Sequence, residues 1–149
     1  MSILWAGPEY AGELARLHSS LFEAPWDAAS FGRLLAHPGS IALIARVGDP
    51  PEIAGFVLGQ VAADEAEILS VGVAKGWQRL GIGRQLVEAL GRAAKRAEAG
   101  RLHLEVAEGN AAARALYDRL AFRETGRRKD YYARAGAAAE DAINLSLVL

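Results

Sequence analysis

Gln78-Arg79-Leu80-Gly81-Ile82-Gly83-Arg84 leads straight into a segment whose apolar residues, Ile82, Leu86, Val87, Leu90, Ala93, Ala94 and Ala97, fall on one helical stripe. Glycines placed just before a helix N-terminus let the backbone come close to a ligand and turn its free N–H groups toward it. Those donors, the positive end of the helix dipole and the flanking Arg79 and Arg84 make a site suited to phosphate. A glycine-rich turn with no ligand fits the same spacing equally well. Two known phosphate motifs are excluded. The dinucleotide fingerprint needs glycine or alanine where Leu86 stands, and the ATP loop needs a Gly-Lys-Ser/Thr ending that is absent.

Composition narrows the class. A chain of 149 residues is one domain by length, spanning 1–149, and can bury a real core. A hydrophobic content of 52%, in alternating strand-like and helix-like runs, argues against disorder. With no cysteine there is no disulfide, no thiolate metal site and no cysteine nucleophile. Met1-Ser2-Ile3-Leu4-Trp5 lacks the positive region and apolar core of a signal peptide, and no apolar stretch is long enough to cross a bilayer. The expectation is a cytoplasmic protein without a membrane partner. A net charge of −1 argues against direct nucleic-acid binding. The local exception, Arg123, Arg127, Arg128, Lys129 and Arg134, reads first as a solvated hairpin rim and second as a surface for phosphate or an acidic partner.

Outward from the glycine loop, the pattern predicts an α+β organisation with a crossover at the centre. Ile3 to Ala6 reads as a strand, and Pro8 suits the first turn of a helix through Ser20. Asp27 is a good N-cap for a helix over Ala28 to Ala36. Strands follow at Ser40 to Val47, Ile53 to Ala62 and Glu67 to Val73. The helix after the glycine loop runs to about Glu98, with Gly100 as its stop. Arg101 to Val106 is a strand, Asn110 to Leu120 a helix, and Phe122 to Arg128 and Ala142 to Leu149 are closing strands. Ala133 to Ala139 reads as a mobile hairpin loop.

Alternation along Arg101 to Val106 puts Leu102, Leu104 and Val106 on one face and Arg101, His103 and Glu105 on the other. A polar face there is either solvent-exposed or chemical; in the second case Glu105 is a general base whose pKa partial burial would raise toward neutrality. His103 reads as a strand-end side chain. Tyr117 shares a helical face with Ala113 and Leu120, the usual place of a core tyrosine. Asn110 can cap its helix. Trp26 reads as a core aromatic at a helix entry, and Tyr131 and Tyr132 as cross-strand packing.

Gln78-x-x-Gly81-x-Gly83 resembles the acetyl-CoA pyrophosphate loop of the GNAT N-acetyltransferases. The resemblance spans nearly the whole chain, through Asp64-Glu65-Ala66-Glu67-Ile68-Leu69-Ser70-Val71-Gly72-Val73, Leu104-Glu105-Val106, Asn110-Ala111-Ala112-Ala113-Arg114-Ala115-Leu116-Tyr117 and Phe122. It implies a GNAT fold, a mixed and mostly antiparallel central sheet flanked by helices on both faces in an α/β sandwich. It also implies acetyl-CoA as co-substrate and no metal. Val71, Gly72 and Val73 would pair with the pantetheine arm, with Asn110 bonding it further along. Arg79, Leu80, Gly81, Ile82, Gly83 and Arg84 would cradle the pyrophosphate. Glu105 becomes the base and Tyr117 the acid for the departing thiolate, while a backbone N–H near Val73 serves the carbonyl oxygen.

Ala24-Pro25-Trp26, Arg127-Arg128-Lys129-Asp130-Tyr131-Tyr132 and Glu140-Asp141-Ala142 are similar to the family branch that acetylates the N-terminal alanine of a small-subunit ribosomal protein. That likeness makes a protein N-terminus the partner, with Trp26, Tyr131 and Tyr132 lining its groove, in a monomer or weak dimer. A GNAT enzyme for a small amine or lysine side chain, and a non-catalytic acyl-CoA-binding module, are the alternatives. The chain departs from the family where Lys75 replaces a proline after Val73, where Gly109 replaces a serine, and where Ala121 replaces the glycine before Phe122.

Overall fold

The computed structural model describes residues 1–132, 136 and 138–149. In chain order these form β1 (Ser2–Trp5), α1 (Ala11–Leu21), α2 (Ala28–Ala36), β2 (Ser40–Val47), β3 (Glu52–Ala62), β4 (Glu65–Val73), α3 (Ile82–Arg96), β5 (Arg101–Ala107), α4 (Ala111–Arg119), β6 (Arg123–Tyr132) and β7 (Glu140–Val148). Short 3-10 turns at Pro8–Tyr10 and Lys75–Trp77 precede α1 and the glycine loop. Seven strands make one sheet in the order β1-β2-β3-β4-β5-β7-β6. Every neighbouring pair is antiparallel except β4 and β5. Parallel neighbours need a long crossover, which α3 supplies.

Two cores lie on the two faces. Strand alternation sends Ile44, Phe56 and Leu58 toward α1 and α2, where they meet Leu14 and Phe31. It sends Leu43, Ala45 and Val57 to the opposite face, where Leu86, Leu90 and Ala94 of α3 cover them. Burial on both sides explains the unbroken apolar run from Ile41 to Ala45. The expected α+β sandwich is thus present, with helices on both faces of a mixed sheet.

Several boundaries move for local reasons. Pro8 opens the 3-10 turn rather than the α-helix itself. The stop of α3 is not Gly100: the helix ends at Arg96 and Glu98 takes the left-handed conformation, with φ 69°. Gly100 instead donates its N–H to the Asp64 carbonyl at 2.7 Å, tying the end of the crossover to the start of β4. The last two strands are longer than their patterning predicts and take in Tyr131, Tyr132, Glu140 and Asp141. The loop expected over Ala133 to Ala139 lies mostly outside the described residues, as does Arg134. No helix among the described residues is long and apolar enough to cross a membrane.

Ala121 ends α4 with φ 68°, a conformation suited to glycine. A side chain there costs roughly 1–2 kcal/mol, and the greater freedom of unfolded glycine offsets about 0.5–1 kcal/mol of the gain on removing it. Ala121→Gly should therefore stabilise the protein by about 0.5–1 kcal/mol, read as a higher urea midpoint at unchanged slope.

Candidate active site

The parallel pair is hydrogen-bonded over only three residues, Glu65 to Glu67 against Arg101 to His103. Beyond them β4 stays with β3 as far as Val73 against Gly55, and β5 stays with β7 as far as Ala107 against Ala142. The sheet therefore splits between its two central strands. A bulge in β4, where Leu58 faces Ser70 but Gly59 faces Ile68, adds twist at the point of separation. Ala74 donates its N–H to Ala54 on the β3 side at 2.7 Å. Alternation then turns the backbone groups of Val71 and the Val73 N–H toward the open side, where an extended ligand could pair with them.

The loop after Val73 is held without proline. Trp77 Nε1 donates to Glu52 Oε1 at 3.0 Å, Trp77 N to the Ala74 carbonyl at 2.8 Å, and Gln78 Nε2 to the Val73 carbonyl at 2.9 Å. Lys75 sits inside this pinned turn. Next come two left-handed residues, Arg79 at φ 64° and Gly81 at φ 82°, the second being the N-cap of α3 with no side-chain cap. The N–H groups of Ile82, Gly83 and Arg84 consequently lack intrahelical acceptors and face outward at the positive end of the dipole. The Arg84 guanidinium pairs with Glu88 at 3.2 Å, so this residue offers the cradle its backbone rather than its charge. Leu80 is exposed beside it.

Gly72 has a packing reason to be glycine. A Cβ there would lie 2.8 Å from Phe56 and 2.9 Å from Leu21, so the missing side chain lets α1 close on the sheet. At Gly83 a Cβ would make ordinary contacts, 3.6 Å from Val73 and 3.7 Å from Leu116. Asn110 caps α4 by accepting the Ala113 N–H at 3.2 Å. The uncapped helix start and the open β4 edge together suit a phosphate-bearing, amide-bearing ligand such as acetyl-CoA.

Glu105 and Tyr117 lie on opposite faces of the split sheet. Tyr117 is 4% exposed in the α3-side core and packs edge-on against Phe122 at 5.4 Å. Burial pushes its hydroxyl up to about 12, so it stays protonated at neutral pH. Glu105 opens to the other face with its side chain 23% exposed. The Tyr132 hydroxyl donates to Glu105 Oε1 at 3.4 Å, and Arg128 Nε lies 3.4 Å from Oε2. Burial first, and then the charge of Glu105, raise the Tyr132 hydroxyl above its ordinary value. Arg128 also covers the Tyr131 ring at 4.8 Å.

Glu105, Arg128 and Tyr131 border a groove of about 700 Å³ that Glu65, Glu67 and His103 also line; Tyr117 and Tyr132 are not among its lining residues. His103 is tied into it by Ser146 Oγ at 2.6 Å and by Glu65. Trp26 is not among the lining residues. Its ring stacks on His18 at 5.0 Å and tilts against Phe31 at 5.5 Å, in the α1–α2 core. The described members of the basic cluster, Arg123, Arg127, Arg128 and Lys129, are exposed on β6, as a hairpin rim would be; within it Arg127 pairs with Glu108, Glu124 and Asp141, and Arg128 with Glu105. Sequence reasoning missed that role of Arg128, the hold of Gln78 on Val73, and His18. The last had a signal, a lone histidine one turn after Leu14 on a buried stripe. Among the described residues, no group of His, Asp and Glu is placed to hold a metal ion.

Residues 11–122 match the sequence model of the Acetyltransferase (GNAT) family. The ribosomal protein bS18-alanine N-acetyltransferase of Escherichia coli strain K12 is 35% identical over 123 residues, covering 83% of this chain and 80% of that protein. The N-alpha-acetyltransferase RimI of Mycobacterium tuberculosis is 36% identical over 135 residues, 87% of this chain and 82% of that one. A crystal structure of the ribosomal-protein-S18-alanine N-acetyltransferase from Escherichia coli superposes with a TM-score of 0.89 at 29% identity, over 99% of this chain and 92% of that one. Arabidopsis thaliana NAA60 in complex with acetyl-CoA gives a TM-score of 0.85 over 99% of this chain and 98% of that one, and at 18% identity the likeness is one of fold.

Proposed function

Because the chain belongs to the GNAT family of acetyltransferases, we propose that it transfers the acetyl group of acetyl-CoA to the N-terminal α-amine of a protein, with alanine first and a small-subunit ribosomal protein as acceptor. The observation that carries this reading is a carboxylate and a protonated tyrosine on opposite faces of one split sheet. An amine can then arrive from the Glu105 side and a thioester from the Tyr117 side.

Acetyl-CoA, when bound, supplies the activated acyl group. The chain's own residues do the rest. The Ile82, Gly83 and Arg84 N–H groups hold the pyrophosphate, and the Val71 and Val73 backbone orients the pantetheine arm. Glu105, steadied by Tyr132 and Arg128, takes the proton that an ammonium must lose before its nitrogen can attack. The backbone N–H near Val73 meets the charge on the carbonyl oxygen. The Tyr117 hydroxyl, protonated at working pH, donates to the departing sulfur. With both groups in place the non-catalytic module is disfavoured.

Tyr131 lines the groove beside the base and Tyr132 bonds the base itself, an arrangement that suits an extended peptide and favours a protein N-terminus over a small amine. A peptide beginning with free alanine should be acetylated at its α-amine, while one with a blocked N-terminus and free lysines should not. Mass spectrometry locates the acetyl group. Modification confined to lysine, or activity on polyamines alone, refutes this acceptor and leaves the family assignment standing.

A further inference from the structure

The α1–α2 junction carries a buried polar group that the reaction described above does not use. His18, on the last full turn of α1, is 3% exposed. Its ring stacks on Phe22 at 4.2 Å and on Trp26 at 5.0 Å, with Phe31 edge-on at 5.4 Å and Phe56 tilted at 6.1 Å. Such a wall repels charge, so two polar contacts inside it need a purpose. Trp26 N donates to His18 Nδ1 at 3.1 Å. His18 Nε2 lies 3.4 Å from Ser70 Oγ on β4. Since Nδ1 accepts, the ring proton must sit on Nε2 and point at Ser70.

The two contacts join different parts of the proposed site. Ser70 follows the bulge where β4 leaves β5, one residue before Val71. Trp26 belongs to the loop between α1 and α2, whose preceding residue Leu21 lies over Gly72. That loop thus flanks the split on the face that carries Glu105.

We propose that His18 is a positioning residue, a neutral latch that fixes the Phe22–Asp27 loop to strand β4 and so shapes the acceptor side of the site. The proposal rests on the acceptor reading given above. Protonating Nδ1 removes the acceptor of the Trp26 N–H and drives the two donors against each other. Among the described residues the packed elements present no charged group to the ring: α2 presents Phe31, β3 Phe56 and β4 Ser70. In the loop itself Glu23 is exposed, and Asp27 is occupied by the Ser30 N–H at 2.8 Å. Burial holds His18 below its ordinary value of 6.5. A depressed folded value means that the latch is intact above pH 6.5 and is lost as pH falls through the folded value.

The test uses His18→Phe, which keeps the aromatic packing and removes both hydrogen bonds, and Ser70→Ala, which removes one. For His18→Phe the peptide KM should rise about tenfold, the worth of one buried hydrogen bond. The acetyl-CoA KM, and kcat at saturating peptide, should not change. As pH falls through the folded value of His18, below 6.5, the parent's peptide KM should climb more steeply than that of His18→Phe. Ser70→Ala should shift the peptide KM in the same direction by less. Nitrogen NMR of the intact protein reads the tautomer directly and needs no substrate. A protonated Nδ1 at neutral pH, or a folded His18→Phe with the parent's peptide KM at every pH, overturns the latch. Failure of the parent to acetylate any peptide refutes the acceptor reading instead, and NMR still decides the tautomer.

Discussion

Replacing Glu105 by glutamine should slow acetyl transfer by roughly 10²–10⁴-fold, the range expected when a general base is lost. Glutamine keeps the shape of the side chain and its bond from the Tyr132 hydroxyl but cannot take a proton from an ammonium. Acetyl-CoA affinity should be nearly unchanged, because the proposed cradle is built from backbone at the N-terminus of α3 and not from the Glu105 side chain on β5. Folding should change little as well. The side chain is partly exposed, and the pair with Arg128, 57% exposed, lies where ion pairs contribute about 0–1 kcal/mol. The loss should thus appear in kcat and not in the calorimetric Kd for acetyl-CoA. Parent-rate turnover in this variant would mean that the amine arrives already neutral or that another group takes its proton, and the scheme built on Glu105 would be abandoned.

What could be read from the chain was local. The stripe from Ile82 through Ala94 forms a helix because burial of that face needs nothing beyond its own spacing. Asp27 and Asn110 cap their helices through their own side chains, within three residues. Glu105 falls on the polar face of β5 by alternation alone. The split of the sheet was not legible. It arises from two strands that share three registered pairs and then follow different neighbours, and no window of sequence holds both. For the same reason no local pattern shows that Arg128 faces Glu105: its partner is 23 residues away. Ala121 shows the reverse. It is not a glycine, and yet its backbone takes the left-handed conformation that glycine adopts most readily, with φ 68°.

Gly83→Asp should remove most of the rise in melting temperature that acetyl-CoA gives the parent. A ligand at 100 times its Kd stabilises by about 2.7 kcal/mol, and NAD or ATP at equal concentration should do little. The variant will fold. A Cβ at this position meets Val73 and Leu116 at 3.6 and 3.7 Å, ordinary contact distances. It is the second residue of α3, where an acidic side chain complements the helix dipole and stabilises the terminus. The same carboxylate faces the anion that the free N–H groups of Ile82, Gly83 and Arg84 are placed to receive. Two like charges about 4 Å apart repel by about 4 kcal/mol at an effective dielectric of 20. Half of that still weakens binding about 30-fold. The substitution therefore separates two properties of one helix end, since it should raise the stability of the free protein while removing most of its response to acetyl-CoA. An unchanged calorimetric affinity would place the pyrophosphate elsewhere and leave the glycine loop a turn without a ligand.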